Sequence, residues 1–211
     1  MALVPLPTPM TGPPNGPVVV VGQQFCAPYA VDLTIAKKTF SMKDSLFSVT
    51  DVNGNVLLQV KDVVLKIRDR CVLLDAAGFP LLTMQQKILS AHRRWQVFRG
   101  ESTDKKDALF SVKKSRLLQF TTELNVKMAC NKGKHVCDFK IRGTHFERAC
   151  TIYLGKSNCI IAQMSRKHTV SSVLLGKDTF NVKVSPHVDF AFIASLIIIL
   201  DEINKERNGE D

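Results

Sequence analysis

A mainly β chain, closing as an antiparallel barrel of about twelve strands around one apolar C-terminal helix, is the fold this sequence predicts. Two observations predict it. From Val31 to Val184, short runs of period-two hydrophobicity are broken by turn residues roughly every 8–12 positions. Beyond them, Phe190 to Leu200 contains a single polar residue, Ser195, so a helix there is apolar on every face rather than along one stripe.

Such a helix has to be surrounded, by lipid or by protein. A membrane span takes about 20 apolar residues, whereas a run of about 10–14 is more often a buried core helix. This run is bounded by Asp189 on one side and by Asp201 and Glu202 on the other. Burial inside protein is favoured, with a short membrane tail anchor as the alternative. Eight large side chains (Phe190, Phe192, Ile193, Leu196, Ile197, Ile198, Ile199 and Leu200) contribute about 12–24 kcal/mol at full burial, as an upper bound. About twelve strands enclose more space than their own side chains fill, and closure removes exposed edges. The helix supplies the missing contents.

Taken in order, residues 1–30 hold seven of the nine prolines. Residues 1–22 read as an extended, disordered lead-in, within which Val18 to Val21 has the composition of an edge segment able to dock. A single barrel domain is expected over residues 23–205, with its central helix at about 187–204 and a charged tail at 206–211. Strands are expected near 31–36, 45–50, 55–61, 64–74, 80–86, 93–99, 108–114, 121–129, 137–142, 149–154, 159–165 and 179–184. Asn53-Gly54 is a hairpin signal because both residues tolerate positive φ. Asp75 to Gly78 and Gly155 to Asn158 repeat the plan. The tetrad Leu-Phe-Ser-Val occurs at Leu46 and again at Leu109, which fits a barrel of two similar halves. Ser185 is the expected N-cap, with Pro186 in the first turn and Asp189 near the positive end of the helix dipole.

The chain has 211 residues, a net charge of +10 and a pI near 9.4, which means attraction to something anionic: nucleic acid, anionic lipid or an acidic protein partner. Its six cysteines contain no Cys-x-x-Cys pair, and the first lysine is Lys37, so no basic region of a secretory signal precedes them. They read as reduced, mostly core thiols of a cytoplasmic or nuclear protein. Ala2 excludes the myristoylation signal.

Catalytic chemistry is hard to find. Gly155-Lys156-Ser157 resembles the end of a phosphate-binding loop, but Cys150 stands where that motif needs glycine, and a hairpin is expected there. Cys130, His135 and Cys137 match no common zinc spacing. No Gly-x-Ser-x-Gly is present. No catalytic residue, metal site or cofactor is expected.

The basic residues are more informative. Lys66, Arg68 and Arg70 alternate along one strand face, as do Lys140 and Arg142. Other basic clusters, including Lys113-Lys114-Ser115-Arg116, are expected at strand ends or turns. A solvated outer face explains most such clusters; the functional reading is that a few converge on phosphates of an inositol-lipid headgroup or a nucleic-acid backbone. Interleaved aromatics are scarce, which favours lipid over single-stranded nucleic acid.

His92-Arg93-Arg94-Trp95-x-Val97-x-Arg99-Gly100, followed by Leu109-Phe110-Ser111-Val112-Lys113-Lys114-Ser115, resembles the plant LURP-one-related proteins. So do Asp75-x-x-Gly78-x-Pro80-Leu81 and the closing Val188-Asp189-x-Ala191 helix. The resemblance implies a fold similar to the tubby C-terminal domain and to phospholipid scramblases, a barrel around a central helix. It also implies phosphoinositide binding, a membrane-tethered transcription regulator, or a link to plant defence. The acidic calcium segment and palmitoylated cysteine cluster of scramblases have no counterpart here, so neither calcium dependence nor lipid anchoring is expected. The leading expectation is a non-enzymatic module that docks on anionic phosphoinositide membranes, peripheral at the plasma membrane or nuclear, without an integral span. The alternatives are a scramblase-like lipid-translocating protein and a nucleic-acid-binding regulator.

Overall fold

The computed structural model describes residues 16–37, 47–62, 70–87, 94–117, 121–133, 137–144, 149–166 and 179–208. Twelve strands run in sequence order: β1 (Val31–Lys37), β2 (Phe47–Thr50), β3 (Val56–Asp62), β4 (Arg70–Asp75), β5 (Pro80–Lys87) and β6 (Arg94–Arg99). They continue as β7 (Ala108–Leu117), β8 (Thr121–Met128), β9 (Phe139–Thr144), β10 (Ala149–Leu154), β11 (Ile160–Arg166) and β12 (Thr179–Val184). Each pairs antiparallel with the next, and β12 closes on β1 from Val31↔Val184 to Ala36↔Thr179. The helix α1 (Phe190–Asn208) follows. The expected strands are therefore present, with ends shifted by a few residues. Residues 45–46, 64–69 and 93 of the expected strands lie outside the described residues.

Alternation along the strands fills the interior. Pairs such as Leu33 and Ile35, Leu58 and Val60, and Leu124 and Val126 turn inward and are buried. Residues 191 to 200 of α1 are all buried, so every face of the helix meets the barrel wall. Phe192 packs between Phe110, edge-on at 5.1 Å, and Phe139 at 4.8 Å. Ser195, the one polar side chain of this run, donates its hydroxyl to the carbonyl of Phe192 at 2.6 Å. No helix among the described residues is long and apolar enough to cross a membrane.

The helix starts later than expected. Its N-cap is Asp189, not Ser185, whose hydroxyl instead donates to the carbonyl of Ile160. Between them His187 takes a left-handed φ of 60° and reverses the chain out of β12. Asp189 is fully buried, and its Oδ1 accepts the amide of Phe192 at 3.0 Å. Its Oδ2 accepts three further amides, from Val20 at 3.1 Å, Val21 at 2.7 Å and Gly22 at 3.1 Å. The segment before β1 is thereby strapped across the end of the barrel. Val18, Val20, Val21 and Phe25 are buried, and Phe25 stacks edge-on against Phe190 at 5.4 Å. Val18 lies ahead of the boundary at residue 23 read from the prolines: its amide donates to the His187 carbonyl at 2.9 Å and its carbonyl accepts the Asp189 amide at 3.0 Å. Val18 to Val21, expected as a segment able to dock, does so as this strap, bridging through Val18 to Val188.

The hairpin signalled by Asn53-Gly54 joins β2 to β3, with Gly54 at a positive φ of 84°. Asp51 organises that turn: its Oδ1 accepts the amides of Asn53 and Asn55, each at 2.8 Å. Asp75 builds the β4–β5 turn similarly, accepting the Phe79 amide at 2.8 Å with Gly78 at φ 89°. The two Leu-Phe-Ser-Val tetrads do not mark equivalent halves. Phe47 to Val49 of the first lie on β2 and the whole of the second on β7, five strands apart in a barrel whose neighbours are all antiparallel, so these strands run in opposite directions. Finally, of the six free thiols only Cys71 and Cys150 are buried in the core, while Cys130 is exposed in a turn.

Replacing Asp189 removes one cap and strands two buried amides, those of Val20 and Val21, together with the half-buried amide of Gly22. With a lost cap at about 1 kcal/mol and an orphaned buried donor at about 1–3 kcal/mol, Asp189→Ala is expected to lose at least about 3 kcal/mol in urea unfolding. Asp189→Asn, which keeps one acceptor oxygen, should fall between it and the parent chain. A loss under about 1 kcal/mol for the alanine variant would contradict this role.

Candidate functional site

With the interior occupied by α1, side chains free to meet a ligand lie outside the barrel. Period two sends Lys140 and Arg142 outward from β9, while Phe139 and Ile141 turn in and are buried. Sheet register then places partners beside them. Glu123 of β8 pairs with Arg142, which pairs with Thr151 of β10. Thr151 pairs with Gln163 of β11, and Gln163 with Lys183 of β12. Five outward side chains thus form one row across five strands. The backbones of Arg142 and Lys183 stand three strand spacings apart, roughly 14 Å at about 4.8 Å each.

This row lines a groove of about 830 Å³, a size typical of small-ligand sites. Thr151 and Gln163 lie between the two cations, and Gly143, Ala149 and Ser165 also line it. The glycine suits the close approach of β9 and β10: a Cβ on Gly143 would sit tightly, 3.0 Å from the Ala149 carbonyl oxygen and 3.1 Å from Cys150 Cβ. Cys150 also lines the groove, and burial pushes its thiol up to about 12, so it remains protonated.

The charges are unevenly matched. Glu123 lies between the two β9 cations, with Oε1 3.4 Å from Lys140 Nζ and Oε2 3.4 Å from Arg142 Nε. Ser115, which sits at a bulge in β7, donates its hydroxyl to Glu123 Oε1 at 2.8 Å. That hydrogen bond, then Lys140 and Arg142, hold the Glu123 carboxyl below its ordinary value against the opposing effect of burial. Arg142 is half exposed and its guanidinium lies 5.6 Å from the centre of the Tyr153 ring. Lys183 is exposed and makes no ion pair among the described residues. The arrangement can hold an anion bearing hydroxyl groups: Arg142 and Lys183 stand three strands apart, with the neutral donors and acceptors Thr151 and Gln163 between them.

Of the basic residues singled out in the sequence, Arg142 lines the groove, Lys140 meets it only through their shared partner Glu123, and Arg70 lies elsewhere. Arg70 starts β4, on another sector of the barrel, and its Nη2 donates to the carbonyl of Glu101 at 2.8 Å. Lys66 and Arg68 lie outside the described residues. Lys113 and Lys114 sit within β7 rather than at its end, because the bulge at Ser115 lets the strand continue to Leu117. His135 lies outside the described residues, and Cys137 donates its thiol to the carbonyl of Phe139. Glu123, Thr151, Gln163 and Lys183 were not singled out. Their outward orientation is legible from alternation, but their alignment is a matter of register between strands.

Comparison with known proteins places the chain in a wider group. The LURP-one-related family model matches residues 31–201. LURP-one-related protein 15 of Arabidopsis thaliana is 51% identical over 200 residues, covering 95% of this chain and 90% of that protein. LURP-one-related protein 10 of the same plant is 47% identical, covering 92% of this chain and 100% of that protein. An X-ray structure of an Arabidopsis thaliana protein superposes with a TM-score of 0.68 at 45% identity, covering 88% of this chain and 98% of that one.

The lowered Glu123 carboxyl has a pH signature. A group whose folded pKa is depressed adds stability above its unfolded value and loses it as pH falls through the folded value. NMR titration of Glu123 should show its midpoint below that of an ordinary glutamate, and Ser115→Ala should raise it. An unchanged midpoint in that variant would remove the hydroxyl from the account.

Proposed function

The chain belongs to the LURP-one-related family, and from that premise we propose that it is a non-enzymatic binding module that docks peripherally on membranes through phosphoinositide headgroups. The observation that carries this reading is the row Arg142, Thr151, Gln163, Lys183, which sets one cation on each side of a groove with neutral polar side chains between them. A phosphorylated inositol presents the complementary pattern: phosphates for Arg142 and Lys183, ring hydroxyls for Thr151 and Gln163. Lys140 adds a third cation beside Arg142, and the +10 charge of the whole chain draws it to an anionic surface. The helix stays inside the barrel during docking, so contact is made by the outer wall. In this role the protein serves plant defence as a regulator held at the membrane and released from it.

Co-sedimentation with vesicles tests the reading at physiological salt. The protein should partition to phosphatidylcholine vesicles containing phosphatidylinositol bisphosphate and leave neutral vesicles unbound. Arg142→Glu with Lys183→Glu should weaken that binding at least about tenfold, since each membrane-facing cation contributes about 1 kcal/mol and reversal doubles the change. Equal partitioning to neutral and phosphoinositide vesicles would overturn the proposal.

A further inference from the structure

The cations in and beside the groove are not equally available: Arg142 and Lys183 line it, and Lys140 stands next to Arg142 on β9. Lys183 is exposed and makes no ion pair among the described residues, whereas Lys140 and Arg142 share one carboxylate, Glu123, each at 3.4 Å and each at a different oxygen. That carboxylate is positioned from its own side. The Ser115 hydroxyl reaches Oε1 at 2.8 Å, and β8 holds Glu123 in register with Arg142. The two ionic contacts are longer than the roughly 2.7–2.9 Å of a strong charge-assisted hydrogen bond. Glu123 therefore neutralises about half of the local positive charge without locking either cation into its tightest geometry. A surface ion pair of this kind is worth little in stability, and its larger effect falls on what else can approach the same cations.

We propose that Glu123 is a built-in competitor: its carboxylate occupies the Lys140–Arg142 pair until a ligand bearing several phosphate charges draws those cations away. A lipid with one headgroup carboxylate and one phosphodiester, such as phosphatidylserine, offers little beyond what Glu123 already supplies. A headgroup with phosphate monoesters offers more charge and three acceptor oxygens on each. Glu123 is then a specificity-determining residue, raising the threshold against abundant anionic lipids while leaving the multiply phosphorylated ones able to bind. This inference rests on the membrane-docking reading and names how the same site selects its headgroup.

The test compares the full chain with Glu123→Gln, an isosteric change that keeps an acceptor for Ser115 and removes the charge. Binding is measured to phosphatidylcholine vesicles doped with phosphatidylserine or with phosphatidylinositol bisphosphate. The variant should bind phosphatidylserine vesicles about fivefold more tightly, the effect of one unit charge near a membrane surface. Its gain for the bisphosphate lipid should be smaller, so discrimination between the two falls. Adding Lys140→Gln to Glu123→Gln should cancel the gain, which a change in general stability would not do. If the parent chain binds the bisphosphate vesicles and Glu123→Gln changes neither affinity nor discrimination, the competitor role is overturned while docking stands. If neither chain binds bisphosphate vesicles, both the docking reading and the competitor role are overturned.

Discussion

A helix with no polar face sets the terms for everything else in this protein. Residues 191 to 200 are buried on all sides, and in this chain a closed wall of strands is what surrounds them. Twelve strands in a simple sequential meander close that wall, β12 pairing with β1. Barrel and helix are mutually dependent: the wall without the helix would enclose a large void, and the helix without the wall would expose about a dozen apolar residues to water. Phe192, wedged between Phe110 and Phe139, is where the two most visibly interlock.

The polar end of that helix is the difficulty such an architecture creates. Orphan amides at a buried N-terminus need acceptors, and Asp189 supplies them while gathering three amides from the strap before β1. Its two oxygens thus join the C-terminal helix to the N-terminal segment across 167 to 169 residues of sequence. Arg99 ties the strap to the β6 end by donating to the Val21 carbonyl at 3.0 Å. With the interior filled and its end covered, the side chains open to contact are those of the outer surface, where register aligns Glu123, Arg142, Thr151, Gln163 and Lys183.

Local pattern made the fold legible. Alternation and turn residues marked the strands, and the all-round apolar run marked the enclosed helix. What local pattern missed depends on contacts distant in sequence. Ser185-Pro186 has the composition of a helix start, yet the cap is Asp189, because only there do the strap amides converge. The paired tetrads resembled a duplication, but strand direction around the closed barrel rules out their equivalence. The site was readable to the extent that two residues on one strand share a face, as Lys140 and Arg142 do. Glu123 and Lys183 were invisible as partners, since their place beside those residues is set by pairing across β8 to β12. Arg70 shows the converse: the same alternation on β4 leads to the Glu101 carbonyl instead.

If wall and helix form one cooperative unit, they must open together. Native-state hydrogen exchange reads this directly. Amides of Ile193 to Leu200 should exchange with the same free energy and denaturant dependence as the inward-facing residues of β8 and β9, through global unfolding alone. Exchange of the helix amides in a separate, lower-energy event, with the strands still protected, would contradict the enclosure on which the account is built.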